Sequence, residues 1–331
     1  MRRFISNTIF FVCTVLGLIV SVDVSASALP SQLNVDYAVY SPLSLVIKKF
    51  NWLEKEFEND DVHINWVFTP GSTVALKNLK NDSINFASTA SLSSVWSRSG
   101  DNRIKSVYVV ARAEWASLLV PRDSPISSVK ELKGKRVGAT LGTDHYFFLL
   151  RALKEVGLHK NDLEIVPLQQ NEERTTREFN SVDAWSGLEP EVSMSQMKNG
   201  SRVIYRNILF NSFGVLNVTE AFADKYPDAV SRVIKVYERA RRWVLKYPDD
   251  FEALYAEEAK LPLQVARVAL NKYDFFNPVI DRNDMAMLRA ASSVLKEEEL
   301  INPDTDLDKV ISDLVDRNFV LKQLTSGSVK P

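Results

Sequence analysis

From Leu33 onward, short runs rich in β-forming residues alternate with longer stretches whose apolar residues recur at helical spacing. "LNVDYAV" reads as a strand. "SPLSLVIKKFNWLEKEF" follows it, with Leu43, Val46, Ile47, Phe50, Leu53 and Phe57 at helical spacing. Pro42 suits the first turn of that helix. "VHINWVF", "INFA" and "IKSVYVVA" continue the strand series, and Gly100 closes a short helix in "TASLSSVWSRSG". A β-α-β-α-β order implies a mostly parallel sheet with helices on both faces. "WASLLV", "KRVGAT", "LEIVPL", "VDAW" and "RVIY" make a second set, with a helix predicted from Thr143 to Val156 and ended by Gly157. "NSFGVLNV" runs extended, and from about Thr219 the chain reads as helical nearly to its end. The chain has 331 residues, beyond the ~250–300 at which single cores tend to stop growing. The expected architecture is α/β and two-lobed, with two mostly parallel sheets flanked by helices and a helical C-terminal region. Residues 29–115 and 216–331 would form one lobe and 116–215 the other. The extended crossovers Ala113–Val120 and Phe210–Asn217 would act as hinges.

The N-terminal segment stands apart. Arg2 and Arg3 precede an apolar run from Ile9 to Val20, and Ala26-Ser27-Ala28 is a small-x-small cleavage pattern. Residues 1–28 therefore read as a secretory signal peptide cut after Ala28. The apolar run is short of the roughly 20 residues of a membrane span, and Asp23 follows it. The single cysteine, Cys13, falls inside this segment, so the exported chain would hold no disulfide, thiol nucleophile or cysteine metal ligand. Net charge is −1, and no basic excess points to nucleic acid.

In open α/β sheets, ligands bind beyond the carboxyl ends of the strands, where helix N-termini present unpaired N–H groups. Four strand-to-helix turns are candidates: Tyr40-Ser41-Pro42, Thr69 to Thr73 with Ser72, Ser88-Thr89-Ala90-Ser91, and Thr140 to His145. Ser, Thr and Gly in such turns suit a small oxyanion, although Ser and Thr also cap helices everywhere. In "GTDHYFFLLRAL", Tyr146, Leu149, Leu150 and Leu153 form an apolar stripe, which puts Gly142 and Thr143 at the turn and Asp144 and His145 in the first helical turn. Two readings of Asp144 stand side by side: a partner for the helix dipole, or a group facing a ligand. A catalytic Asp144–His145 pair is disfavoured, because adjacent residues do not face each other on a helix. No His/Cys/carboxylate spacing recurs, so neither a metal nor a cofactor is expected. Glu114, Asp183, Glu189 and Asn211 lie near the predicted crossovers and strand ends. Trp115 and Trp185 are expected as cleft walls, and Trp66 and Trp243 as core.

Segments 123–158, "DSPISSVKELKGKRVGATLGTDHYFFLLRALKEVGL", and 181–193, "SVDAWSGLEPEVS", resemble the periplasmic solute-binding proteins of ABC importers, in the aliphatic sulfonate, taurine and nitrate branch. Segments 84–100 and 217–248 extend the resemblance over essentially the whole mature chain. It implies a two-lobed, type II-like periplasmic binding protein that closes on its ligand and hands it to a membrane permease powered by an ATPase. It implicates Tyr40, Ser88, Thr89, Thr143, His145 and Trp185 as cleft residues. Two positions depart from the pattern. An acid, Asp144, follows Thr143 where many relatives have small polar residues, and Leu188-Glu189-Pro190 stands where many have Trp-Asp-Pro; an acid near an oxyanion site fits a zwitterion or a different ligand better than a plain sulfonate. A related branch that makes the thiamine pyrimidine depends on a cysteine-rich motif, which the mature chain lacks.

The expectation is a periplasmic, monomeric binding protein for a small oxyanion-bearing organic compound, first an aliphatic sulfonate of the taurine or alkanesulfonate kind. Nitrate, a thiamine-pyrimidine precursor, a sensor role with a separate membrane partner, and a secreted enzyme using His145 are the alternatives.

Overall fold

The computed structural model describes residues 29–168 and 181–326. The predicted signal peptide, with Cys13, lies outside the described residues. Among the described residues eleven strands are found: β1 (Gln32–Tyr37), β2 (His63–Phe68), β3 (Phe86–Ala90), β4 (Ile104–Ala113), β5 (Ala116–Val120), β6 (Arg136–Ala139), β7 (Glu164–Pro167), β8 (Ala184–Leu188), β9 (Arg202–Tyr205), β10 (Phe213–Thr219) and β11 (Tyr273–Asp274). They form a six-stranded sheet, ordered β2-β1-β3-β10-β4-β11, and a five-stranded sheet, ordered β7-β6-β8-β5-β9.

Both sheets are mixed rather than mostly parallel. In the first, β1 pairs in parallel with β2 and β3, while β10 runs antiparallel to β3 and β4. In the second, β6 is parallel to β7 and β8, while β5 is antiparallel to β8 and β9. The chain's route explains this. Only Glu114 and Trp115 separate β4 from β5, so a strand that leaves the first sheet at its carboxyl edge enters the second from that same edge. It must then run against the strands already there. The return from β9 to β10 does the same in reverse. The two-residue β11, on the edge beside β4, was not anticipated in a region that reads as helical.

The helices place the apolar surfaces. Helices Pro42–Lys49, Pro227–Lys246 and Pro248–Glu258 cover one face of the first sheet and share a core with Leu33, Val35, Tyr108 and Leu216. The long helix Pro227–Lys246 buries Val230, Val233, Ile234, Tyr237, Ala240 and Val244, a stripe at helical period. Trp66 and Trp243 pack half-buried against this core. A second core runs from the other face of the first sheet into the second sheet, through helices Ser91–Ser99, Asp144–Glu155 and Arg282–Glu297. Within it the Trp96 and Phe147 rings meet edge to face at 6.0 Å. Lys154 at the end of helix Asp144–Glu155 pairs with Glu297 at 2.7 Å, so the C-terminal region packs on both sheets. Among the described residues no helix is long and apolar enough to cross a membrane.

Candidate functional site

A cavity of about 380 Å³, part of it open to solvent, lies where the carboxyl ends of strands from both sheets meet. Tyr40 and Ser41 follow β1, Ser72 follows β2, and Ser88, Thr89 and Ala90 end β3. Trp115 follows β4, Thr143 and Asp144 follow β6, and Leu188 ends β8. Val110 and Gly214 complete the lining. Among the described residues, no lysine, arginine or histidine lines the cavity.

Four helices begin at this cavity: Pro42–Lys49, Ser72–Lys80, Ser91–Ser99 and Asp144–Glu155. None is capped by the side chain of its own N-cap residue, although the chain uses such caps elsewhere, at Asp281 and Asp306; in helix Ser91–Ser99 the Leu92 amide donates to Ser212 Oγ at 3.4 Å. Uncapped first-turn amides and the positive ends of the helix dipoles make an electropositive surface without a cationic side chain. The hydroxyls divide by how their protons are used. Tyr40 donates to the Ser88 carbonyl at 2.9 Å, Ser41 to Ser88 Oγ at 2.9 Å, and Thr143 to the Thr140 carbonyl at 2.5 Å. Ser88 Oγ and Ser72 Oγ act as acceptors, Ser72 from the Ala90 amide at 3.0 Å. A hydroxyl that accepts keeps its own proton to donate; the Ser88 hydroxyl is engaged by the Asp36 carboxyl behind it, which leaves Ser72 as the donor for a guest.

Two buried carboxyls flank the cavity. Asp36, in β1, accepts from the Ser88 amide at 2.8 Å and from Thr69 Oγ1 at 2.9 Å, and burial pushes its carboxyl up to about 7. It stands directly behind the Tyr40–Ser41–Ser88 wall. Asp144 sits on the other side. Its Oδ2 accepts from Trp115 Nε1 and from the Ser212 amide, the latter at 3.2 Å. Burial raises the Asp144 carboxyl, against the Ser212 and Trp115 donors and the more distant Arg151 charge. His145 is fully buried. Its ring nitrogens lie 3.1 and 3.2 Å from Thr143 Oγ1, and burial drives its pKa down to about 3. A group so desolvated stays neutral throughout the physiological range.

Of the residues singled out in the sequence, the structure brings Tyr40, Ser41, Ser72, Ser88, Thr89, Thr143 and Asp144 together around the cavity, with Trp115 as an apolar wall. Thr89 presents its hydroxyl elsewhere, bonding Ser94 at 2.6 Å and Asn217 at 2.7 Å. His145 and Gly142 adjoin the cavity without lining it. Gly142, at φ +75°, packs against Trp96, and Thr73 Oγ1 donates to the neighbouring Leu141 carbonyl at 2.8 Å.

Five others fall away from the cavity. Trp185 is buried with Leu119, Leu168, Val182 and Val192. Its neighbour Ser186 donates to the His145 carbonyl at 2.6 Å and therefore faces the helix. The strand's two-residue alternation sends Trp185 to the opposite face. Asp183 precedes β8 at the amino edge of the sheet, where it accepts from the Arg136 amide at 2.8 Å. Glu189 is fully buried and paired with Lys272. Glu114 is half-buried, its amide bonded to the Lys272 carbonyl at 3.1 Å. Asn211 joins the two crossovers through the Ala116 amide at 2.7 Å. Asp36 was missed, although an acid at the centre of an apolar β run is the signal that marks it. Val110, Leu188 and Gly214 were missed because apolar wall and apolar core look alike in sequence.

The description of NMT1/THI5-like proteins matches residues 57–251. The chain belongs to that family. A Bacillus subtilis (strain 168) relative named as an aliphatic sulfonates-binding protein is 28% identical over 291 residues, covering 87% of this chain and 86% of the relative. The crystal structure of the periplasmic aliphatic sulphonate binding protein SsuA from Escherichia coli superposes with a TM-score of 0.73 at 23% identity, covering 87% of this chain and 93% of SsuA. The desulfurization enzyme DSZB superposes with a TM-score of 0.66 at 15% identity, covering 89% and 99%. The fold is thus the two-lobed one of periplasmic binding proteins, and NMT1/THI5-like chains share it with at least one enzyme.

Proposed function

We propose that this chain is the extracytoplasmic binding component of an ABC importer, and that it takes up a small oxyanion-bearing organic compound, an aliphatic sulfonate first among them. The observation that carries the reading is the convergence on one cavity of four helix N-termini, none capped by its own N-cap side chain, beside the Ser72 hydroxyl. Backbone amides and hydroxyls hold an oxyanion by charge-assisted hydrogen bonds. Trp115, Val110 and Leu188 cover a short carbon skeleton. The names of the sulfonate-binding relatives support the same ligand class.

In this reading residues 1–28 are a signal peptide and the mature chain works as a periplasmic monomer beside a membrane permease and its ATPase. Residues 29–115 with 216–331, and 116–215, are the two lobes, and the crossovers at Ala113–Val120 and Phe210–Asn217 are the hinges. The distribution of strands between the two sheets supports that division. A reading in which His145 serves as a catalytic base finds little support. Its ring is buried, held by Thr143 and kept neutral with too low a basicity to take a proton near pH 7.

Thermal melts of the mature chain against a panel of alkanesulfonates, nitrate and pyrimidines test the proposal. A rise in melting temperature with a sulfonate is expected, because a ligand that binds only the folded state stabilises it. Flat melts across the panel would overturn it. Native mass spectrometry of protein taken from its own periplasm weighs the natural ligand directly.

A further inference from the structure

Among the described residues four strands stand at sheet edges: β2 and β11 in the first sheet, β7 and β9 in the second. Three of them carry the devices that keep an open edge from pairing. β11 has two residues, one of them Asp274. β7 has four, with Glu164 at one end and Pro167 at the other. β9 has four, begins with Arg202, and meets β5 with a register shift. β2 has none of these devices. Its six residues, HINWVF, include no lysine, arginine, acid or proline, and they match β1 in unbroken register from His63 to Phe68.

That register fixes which backbone groups point out of the sheet. The His63 amide donates to the Ser31 carbonyl at 2.9 Å, and the Thr69 amide to the Tyr37 carbonyl at 3.1 Å. In a parallel ladder alternate residues turn both backbone groups toward the same neighbour, so His63, Asn65 and Val67 face β1. Ile64, Trp66 and Phe68 face outward, and among the described residues their N–H and C=O groups have no partner. These three residues are symmetric about Trp66. A second copy turned about a two-fold axis at Trp66 meets them antiparallel. Trp66 then opposes its own counterpart, and Ile64 of each copy opposes Phe68 of the other. Each is a pair that exchanges both backbone bonds, so every outward group is used.

The side chains suit the same arrangement. Ile64, Trp66 and Phe68 share one face of the strand, and Phe68 is 51% exposed, so the second copy's Ile64 covers an aromatic ring that water now meets. The antiparallel axis also sets Asp60 and Asp61, which precede β2, beside the other copy's Pro70-Gly71 turn and the positive end of helix Ser72–Lys80. A parallel copy would stack these acids on one another.

We infer that β2 is a self-association edge, through which two free copies of the mature chain join their first sheets across a two-fold axis at Trp66. Such an axis gives a closed pair rather than a growing chain of copies. The inference goes beyond the import reading, in which the single chain is the form that meets the permease. Two short strands make a contact at the small end of interfaces, so the pair exchanges readily with monomer, at a Kd on the order of 100 µM.

Sedimentation velocity of the mature chain from about 5 to about 500 µM brackets that value. The average mass should rise from monomer toward dimer. Monomer throughout overturns the inference and leaves the import reading standing. Phe68→Lys puts a charge on the open edge and should weaken pairing at least about tenfold. Phe276→Lys changes an exposed aromatic outside β2 and should leave pairing within about twofold. A loss in Phe68→Lys no larger than that in Phe276→Lys overturns the inference. Amide hydrogen exchange on wild type decides the matter even if Phe68→Lys fails to fold. The amides of Ile64, Trp66 and Phe68 should slow as concentration rises, while those of His63, Asn65 and Val67, already bonded to β1, keep their rates. A dimer in which the three outward amides exchange as they do in the monomer uses another surface, and overturns the inference.

Discussion

Asn211 Oδ1 accepts the Ala116 amide proton at 2.7 Å, which ties the return crossover to the outgoing one where the chain passes between the sheets. Asn211 Nδ2 also donates to the Asn207 carbonyl at 2.9 Å. Asn211 is buried between β9 and β10, and Ala116 is the first residue of β5, so the Asn211 side chain holds the Ala116 amide where the chain enters the second sheet. Asn211→Ala orphans the Ala116 amide, and roughly 1–3 kcal/mol of stability should be lost. Asn211→Asp keeps the acceptor and should lose less. Urea unfolding of the two variants gives the comparison, and an aspartate variant as unstable as the alanine one would show that the Ala116 bond is not what matters.

Gly142 and Gly157 make a matched pair. Both sit at φ +75°, at the start and just beyond the end of the same helix. A Cβ at Gly157 meets nothing within 4 Å, whereas one at Gly142 overlaps the Trp96 ring and comes within 3.1 Å of Thr73 Oγ1. Gly157→Ala should therefore cost only the left-handed backbone penalty, about 1–2 kcal/mol. Gly142→Ala carries the same penalty and also wedges the second-sheet turn away from helix Ser91–Ser99. It should weaken ligand binding by tenfold or more while Gly157→Ala leaves affinity within about twofold. Equal affinities in the two variants would contradict the wedge.

The parts of this molecule that were legible in the sequence are those governed by local period. Tyr40, Ser41, Ser72, Ser88 and Thr143 were found because a turn after a strand announces itself, and in this fold such turns converge. Trp185 was misplaced because the face a strand residue takes depends on register, and an error of one residue reverses it; Asp183 was misplaced because β8 begins at Ala184 and does not end there, which leaves Asp183 at its amino edge. Trp185 follows Ala184 and precedes Ser186, and it is Ser186 that faces the helix. Glu189 read as a cleft acid because its partner, Lys272, lies 83 residues on, and no local pattern reports such a pair. The direction of β5 and β10 needed the path between two sheets, which a strand-by-strand reading does not contain.

His145 makes the fold sensitive to acid. Its pKa falls from 6.5 to about 3 on burial, so the unfolded chain binds the extra proton first as pH drops. Its contribution is fully present above pH 6.5 and is lost progressively toward pH 3. The loss is on the order of a few kcal/mol at about 1.4 kcal/mol per unit. His145→Gln cannot charge. The variant should be less stable than wild type at pH 7, through lost packing, and the gap in melting temperature should narrow as pH falls to 4. A constant gap from pH 7 to 4 would mean that the buried imidazole does not titrate in this way.

Asp36 acts with the opposite sign. Burial lifts its carboxyl from 3.8 to about 7, so between these values the unfolded chain has lost a proton that the folded chain keeps. The folded state is then penalised increasingly as pH rises from about 4, and the penalty levels off above about 7. It reaches a few kcal/mol at most on the same scale. Asp36→Asn can still accept from the Ser88 amide, and the Thr69 hydroxyl can turn to meet the new NH₂ group. The variant should gain on wild type steadily from pH 4 to 8 in thermal melts. His145 and Asp36 thus work against each other between about pH 4 and 6.5, and wild type should show little net slope there from this pair. Above pH 7 the ionised Asp36 also faces the bound oxyanion through Ser88, so ligand affinity should fall as pH rises from 6 to 8 in wild type and stay level in Asp36→Asn. Titrations at the two pH values measure this, and a fall of equal size in both proteins would rule out Asp36 as its source.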